Sequence, residues 1–564
     1  MKIMTGIITV VLFFTRIAMA QQNPYPQNYF RHPLNIPMQL VANFGEIRTN
    51  HWHMGLDIRT QQKVNLPVYA SAEGYISRVS VEPGGFGQAI YINHPNGYTT
   101  LYAHLNSFYP ALEFYVKQKQ YEKESWRINL ELPPNLFPVK KGDYIARSGS
   151  TGGSEGPHVH FEIRDTKTEN CLNPLLFKFP IPDGVPPSIT RLAMYDRNRS
   201  TYMQSPQMLS LKRTGSHYTI TGNAVRVGSN RVSFAIGAVD RFTGTPNPNG
   251  IYSAQVFMDG KPVSGFALDD ISYNDTRYIN AQLDLPFKTR GGGALQHITP
   301  LPGAQKVGYY LSEKDGIIFL NDESPHEISI EVRDAAKNLS RINFRIQYDP
   351  SLARTIKETN DERFLPNNVN IFEKENFELF TTERTIYDTV DVNFKESDNN
   401  AAGAVSALFG FLSHAIPSHD SVTIRIKRKD IPEEWKDKIV IRNVAGTRTF
   451  LQKAEWQKNG WISAKFRQFG TYQAFVDTEA PRLNNPPTNL SGASRIVFTP
   501  TDNFKEIRSF RAEVDGQWLR FTNDKGKTWI YYFDEKFPRG KHELKVRVED
   551  VAGNLTEKTW TVTR

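Results

Sequence analysis

Two histidines stand two residues apart in the run SGSTGGSEGPHVHFEI, where a glycine-rich turn leads into a strand-like segment carrying His158 and His160. Side chains at i and i+2 on a strand point to the same face, so both imidazoles can enter one site. Two upstream segments carry matching chemistry: HMGLD holds His53 and Asp57, and YAHL holds His104. Two histidines and an aspartate are a zinc-type donor set, and three protein ligands leave a fourth position for water. A chain that uses this set must bring three distant segments to one site.

The rest of the first third agrees with a sheet. LPVYASAEGYISRVSV, GQAIYINH and GYTTLYAHL are short strand-like runs separated by glycine turns, the even spacing of an antiparallel sheet or sandwich. This unit is expected over residues 21–180. Its pattern breaks at about 108–137, where an inserted helix or hairpin is expected beside the site. Phe108, Tyr109, Phe114, Tyr115, Tyr121 and Trp126 of the insertion either wall a groove or pack on the core, and packing is favoured.

At 564 residues the chain is too long for one ordinary domain and suggests three or four. An apolar fraction of 39% is ample for packed cores, and long amphipathic helical runs are scarce, so the fold class is mostly β. A Pro-rich linker, FPIPDGVPPS, opens a second unit, and FVDTEAPRLNN repeats that signal further on. EVRDAAKNLS and VEDVAGNLT also match, each closing a strand-rich stretch with an acidic turn and Asn-Leu. These pairs predict immunoglobulin-like β-sandwich units at 186–349 and 480–564, with a β-rich unit at 350–479 between them. None of the downstream regions shows a catalytic constellation. The apolar run AAGAVSALFGFLSHAI at 401–416 is short for a membrane span and is expected to be a buried helix or a flexible loop.

The N-terminus, MKIMTGIITVVLFFTRIAMAQQ, has a basic start, an apolar stretch and Ala-Met-Ala before the glutamines. It reads as a signal peptide over residues 1–20, with an uncleaved anchor as the alternative. Cleavage leaves no further transmembrane segment. Cys171 is the only cysteine, so no intrachain disulfide forms, and an exported chain without disulfides points to a bacterial periplasm or cell envelope, or to the extracellular medium. The formal net charge of +9 loses two positive charges with the leader. No nucleic-acid motif accompanies it, and a modest positive field suits an anionic wall polymer as well as it suits scattered surface charge.

Taken together, NFGEIRTNHWHMGLD, LPVYASAEG, YAHL, VKKGDYIARSGSTGGSEGPHVHFEI and LNP resemble the lysostaphin-type (LytM-like) zinc metalloendopeptidases, which cut peptide bonds in bacterial peptidoglycan. The resemblance implies a lysostaphin-like antiparallel β domain of the duplicated hybrid motif kind. It also implies one Zn2+ held by His53, Asp57 and His160, with His104 and His158 as catalytic histidines. His51 is the competing ligand in HWH, but only His53 has the motif's spacing to Asp57. With no HExxH glutamate present, His158 is assigned as general base and His104 as oxyanion stabiliser or proton relay, and the two roles are interchangeable at this level. Glu162 either orients a ligand or forms a structural salt bridge. The expected substrate is peptidoglycan, with an envelope protein as a further partner for the C-terminal β units. The alternatives are a regulator of other wall hydrolases and a zinc peptidase acting on a protein.

Overall fold

The computed structural model describes residues 24–222, 224–312, 314–353, 362–399 and 401–564. The proposed signal peptide lies outside them. Four apolar cores organise these residues. The first gathers side chains from Phe30 to Phe179, together with Phe242. The third runs from Phe364 to Ala474 and the fourth from Leu483 to Val562. The second core belongs to the following unit but also takes in Phe44, Trp52, Met54 and Cys171 of the first. The first two units therefore share buried surface.

The first unit is built on antiparallel strands β1 (Leu40–Ala42), β2 (Leu56–Arg59), β3 (Gly74–Val81), β4 (Gln88–Asn93) and β5 (Tyr98–Ala103), followed by α1 (Pro110–Glu122), β6 (Ile128–Glu131) and β7 (His158–Asp165). The sheet order is β1-β2-β7-β5-β4-β3-β6, which puts β7 between β2 and β5. Alternation decides the two faces of β7. Val159, Phe161 and Ile163 are fully buried in the first core, so His158, His160, Glu162 and Arg164 share the opposite face. A smaller sheet of Pro67–Tyr69, Tyr144–Ser148 and Leu105–Phe108 contributes Val68, Ile145 and Leu105 to the same core. Cys171–Leu172 pairs with β7 and with Asp270–Ile271 of the second unit, which carries the sheet across the boundary.

The insertion contains both a helix, α1, and an added edge strand, β6, which pairs with β3. Phe108 is buried, and Tyr109, Tyr115 and Trp126 pack against the core. Phe114 is exposed. Tyr121 turns to the last unit, where its ring meets Trp518 at 5.4 Å and its hydroxyl donates to Asp534 at 2.7 Å.

The downstream units are mainly antiparallel sheets, although in the second His217–Ile220 and Val225–Val227 pair in parallel with Leu339–Tyr348. In the second, Phe234 meets Phe344 across the core at 5.4 Å. The apolar run at 401–416 forms no helix and is not loop throughout, since turns flank a strand at its centre. It contains the strand Leu408–Phe411, bonded to Phe394–Ser397 and Gly470–Val476. Phe409 and Phe411 alternate into the third core, so period two prevails over bulk apolarity. No helix among the described residues is long and apolar enough to cross a membrane.

Candidate active site

Register brings the predicted donors together. His160 on β7 lies directly across from Asp57 on β2 and Ala103 at the end of β5, and the chain turns at once into His104. His53 enters from the loop before β2. The result is a buried cluster in which His53 Nε2 is 3.0 Å from Asp57 Oδ1, His160 Nδ1 is 2.9 Å from the same oxygen, and the two nitrogens are 3.1 Å apart. His51 is exposed and bonds the Thr49 carbonyl instead.

The outer nitrogen of each histidine in the cluster is already committed. His53 Nδ1–H donates to the Asn43 carbonyl at 2.7 Å, and His160 Nε2–H donates to Glu162 Oε1 at 2.9 Å. The inner nitrogens and Asp57 Oδ1 therefore converge as three electron-pair donors, which only a proton or a metal cation can hold together. Burial opposes a charged His160, but its hydrogen bonds to the Asp57 and Glu162 carboxylates outweigh it and raise the ring to about 9. Burial also opposes ionisation of Asp57, yet the surrounding histidines hold its carboxyl well below the usual range. This buried set could hold a metal ion.

Glu162 resolves its two sequence readings by doing both. Oε1 accepts from His160 and from the Tyr273 hydroxyl at 2.6 Å, and Oε2 accepts from Arg164 Nε at 2.7 Å and from Cys171 Sγ at 3.3 Å. Burial raises this carboxyl, but Arg164 and then His160 bring it down to about 2. It therefore stays a carboxylate that can fix the tautomer of His160.

His104 and His158 stand beside the cluster with their ring centroids 4.7 Å apart. His104 adopts φ 58°, a left-handed conformation that costs energy for a non-glycine residue and concentrates at functional sites. Its Nδ1–H donates to the Thr151 carbonyl at 2.8 Å. Burial, then the neighbouring His160 and His158, lowers His104 to about 3. His158 Nδ1 bonds the Gly156 carbonyl at 2.9 Å, and its Nε2 lies 3.4 Å from Asp57 Oδ1.

Sequence reasoning missed three supports. Tyr273 comes from the second unit, which had no catalytic signal of its own. Asn43, which holds His53, exchanges hydrogen bonds with Gly250 of that unit at 2.8 and 2.9 Å. The last unit grips the glycine turn: Asp524 Oδ1 accepts from Gly152 N at 2.7 Å, and Lys525 Nζ donates to the carbonyls of Ser150, Gly152 and Ser154 at 2.7–3.0 Å. Tyr273, Gly250, Asp524 and Lys525 belong to no local motif, and Asn43, which opens NFGEIRTNHWHMGLD, carries no sign there of its contact with His53.

Two segments match described families: residues 51–121 match Peptidase family M23, and residues 361–477 match the Zu5-like domain. The chain is 32% identical over 172 residues to the DD-carboxypeptidase/endopeptidase Mpg of Neisseria meningitidis, covering 30% of this chain and 29% of that protein. It is 32% identical over 111 residues to the peptidoglycan DD-endopeptidase ShyB of Vibrio cholerae, covering 20% of each. The match thus spans less than a third of the length of these relatives. The catalytic domain of lysostaphin from Staphylococcus simulans is 24% identical, covering 24% of this chain and 87% of that one, with a TM-score of 0.17. The M23 match covers the segment that carries His53, Asp57 and His104, and the chain carries a LytM-like peptidase M23 domain.

Proposed function

We propose that the protein is an exported zinc metalloendopeptidase that hydrolyses peptide bonds in peptidoglycan stem or cross-bridge peptides. The observation that carries this reading is the convergence of His53 Nε2, Asp57 Oδ1 and His160 Nδ1 within 3.1 Å of one another, with two further histidines alongside. The relatives named as a DD-carboxypeptidase/endopeptidase and a peptidoglycan DD-endopeptidase support the substrate class. When bound, zinc lowers the pKa of a coordinated water and polarises the scissile carbonyl.

The remaining chemistry belongs to the side chains. His53, Asp57 and His160 hold the metal, and Asn43 and Glu162 keep each inner nitrogen deprotonated and aimed. His158 takes the proton of the attacking water, because a proton added there faces the Asp57 carboxylate. His104, lowered to about 3, is a poor proton acceptor at neutral pH. With Nδ1–H tied to Thr151, its neutral ring presents a bare Nε2. That atom can accept a hydrogen bond from the water and orient it, whereas oxyanion donation would need an N–H at Nε2. The proton taken up by His158 is the one available to the leaving amine.

The test is digestion of purified peptidoglycan by the leaderless protein, with and without a chelator, and reading of the products by mass. New peptide termini that vanish on chelation and in His160→Ala are expected. Cleavage that survives both would overturn the zinc mechanism. A chain that binds no zinc and cuts no wall would instead fit a regulator of other hydrolases.

A further inference from the structure

We propose that Asp183, Asp240 and Asp334 form a divalent-cation site of the calcium class, which locks the linker leaving the peptidase unit onto the sandwich that follows. Each carboxylate offers one oxygen, and these oxygens all lie within 4.8 Å of one another. Asp183 belongs to the linker, Asp240 follows the strand Arg231–Val239, and Asp334 follows the strand His326–Arg333. Asp240 and Asp334 are only 2% and 1% exposed. Among the described residues, no lysine or arginine forms an ion pair with any of the three, and the compensating charge acting on Asp240, from Arg241, is a minor influence beside burial and the neighbouring aspartates. Burial of unpaired carboxylates this close together is costly.

A second observation points to a ligand. Asp240 Oδ1 is buried without a hydrogen-bond partner, and so is Oδ1 of Asn249, a residue 4% exposed. Asp240 and Asn249 form an antiparallel bridge, exchanging backbone hydrogen bonds at 3.0 and 2.8 Å. Residues paired in this way project their side chains to one face, so the Asn249 amide lies on the same face as the Asp240 carboxylate. The set contains oxygen donors only, drawn from a linker and two strand ends. Calcium accepts such a set, whereas magnesium demands a near-regular octahedron. Burial, then Asp183 and Asp334, pushes Asp240 up to about 8, as expected for a site that lacks its counter-charge.

The constellation occurs twice. Asp477, Asp502 and Asp550 cluster in the same way where the third unit passes into the fourth. Asn338 donates to both oxygens of Asp334, and Asn554 to both oxygens of Asp550, every one of these bonds being 2.8 Å long. At the second cluster Lys438 and Lys453 already hold the turn carbonyls of Gly553 and Ala552. Asp502 Oδ1 also lacks a hydrogen-bond partner, but Asp502 is half-buried. The proposal is therefore made for the first cluster, where the orphaned oxygens belong to residues only 2% and 4% exposed.

The experiment is calcium titration of the zinc-loaded, leaderless full chain, read by calorimetry and by thermal unfolding, for the wild type and for Asp240→Asn. Wild type should bind calcium at millimolar or lower concentration and gain about 3 °C or more in Tm. Asp240→Asn should lose one equivalent and most of the gain, while being at least as stable as wild type without calcium because repulsion is relieved. If Asp240→Asn does not fold, Asp183→Asn in the part-exposed linker supplies the same comparison. Absence of calcium binding by the wild type, or an unchanged count and shift in the folded variant, would overturn the site.

Discussion

Glu162 Oε1 accepts the Nε2–H of His160 at 2.9 Å, so the histidine proposed as a ligand and the carboxylate that orients its ring stand two residues apart on one strand face. The arrangement is a direct product of strand geometry, since no turn or helix is needed to bring the pair together. Glu162→Gln should lower zinc affinity about 10- to 100-fold, measured by competition with a chelating dye. Tyr273→Phe, which removes one hydrogen bond to the same oxygen, should lower it less. Equal affinity in wild type and Glu162→Gln would show that Glu162 serves only Arg164.

Gly55 leaves no room for a side chain. A Cβ there would meet the Phe161 carbonyl oxygen at 2.4 Å, Glu162 Cγ at 2.9 Å and His160 Nε2 at 3.0 Å. Gly55→Ala should therefore cost about 1–3 kcal/mol of stability and shift the His160 ring away from Glu162. Zinc content after dialysis and the unfolding midpoint read the two effects separately.

The grip of the last unit on the glycine turn runs toward His104 through the backbone. Asp524 holds Gly152 N and Lys525 holds three carbonyls of the turn, while the intervening Thr151 carbonyl accepts from His104 Nδ1. Gly152 itself has φ 67° and is packed against Gly87, so the turn has few alternative conformations. The double variant Asp524→Ala, Lys525→Ala should lower kcat about tenfold or more, with zinc content unchanged, since small misplacements of catalytic groups are expensive. An unaltered kcat would mean that the turn holds its shape alone.

Acid should destabilise the fold through buried neutral histidines. Burial lowers both His94 and His297 from 6.5 to about 4. His94 accepts from Thr100 Oγ1 at 2.8 Å while donating to the Glu73 carbonyl. A folded-state pKa below the unfolded value means that protons favour the unfolded chain. The stability these rings contribute is present above about pH 6.5 and is lost as pH falls toward 4, at about 1.4 kcal/mol per pH unit for each ring. Denaturant titrations over this range should flatten in His94→Gln and His297→Gln. A slope unchanged in both would contradict the linkage.

Much of the peptidase unit was legible because its signals are local. The period-two pattern of HVHFEI names the buried and the site-facing residues of β7, and the four-residue spacing in HMGLD separates His53 from His51. The insertion was visible as a break in pattern, though its helix and added edge strand were not separable from sequence. The run at 401–416 misled because apolar content was weighed above alternation: Phe409 and Phe411 sit two apart on a strand.

By itself the sequence determined the donor types, their order, and the strand face that His158, His160 and Glu162 share, since these depend on chemistry and on the alternation of one strand. Only the tertiary structure decided what surrounds them. Asn43 is braced by Gly250, Glu162 by Tyr273, and the glycine turn by Asp524 and Lys525, each contributed by a unit remote in the chain. Such contacts depend on how whole sheets pack, and packing places neighbours by shape and register rather than by any spacing along the chain.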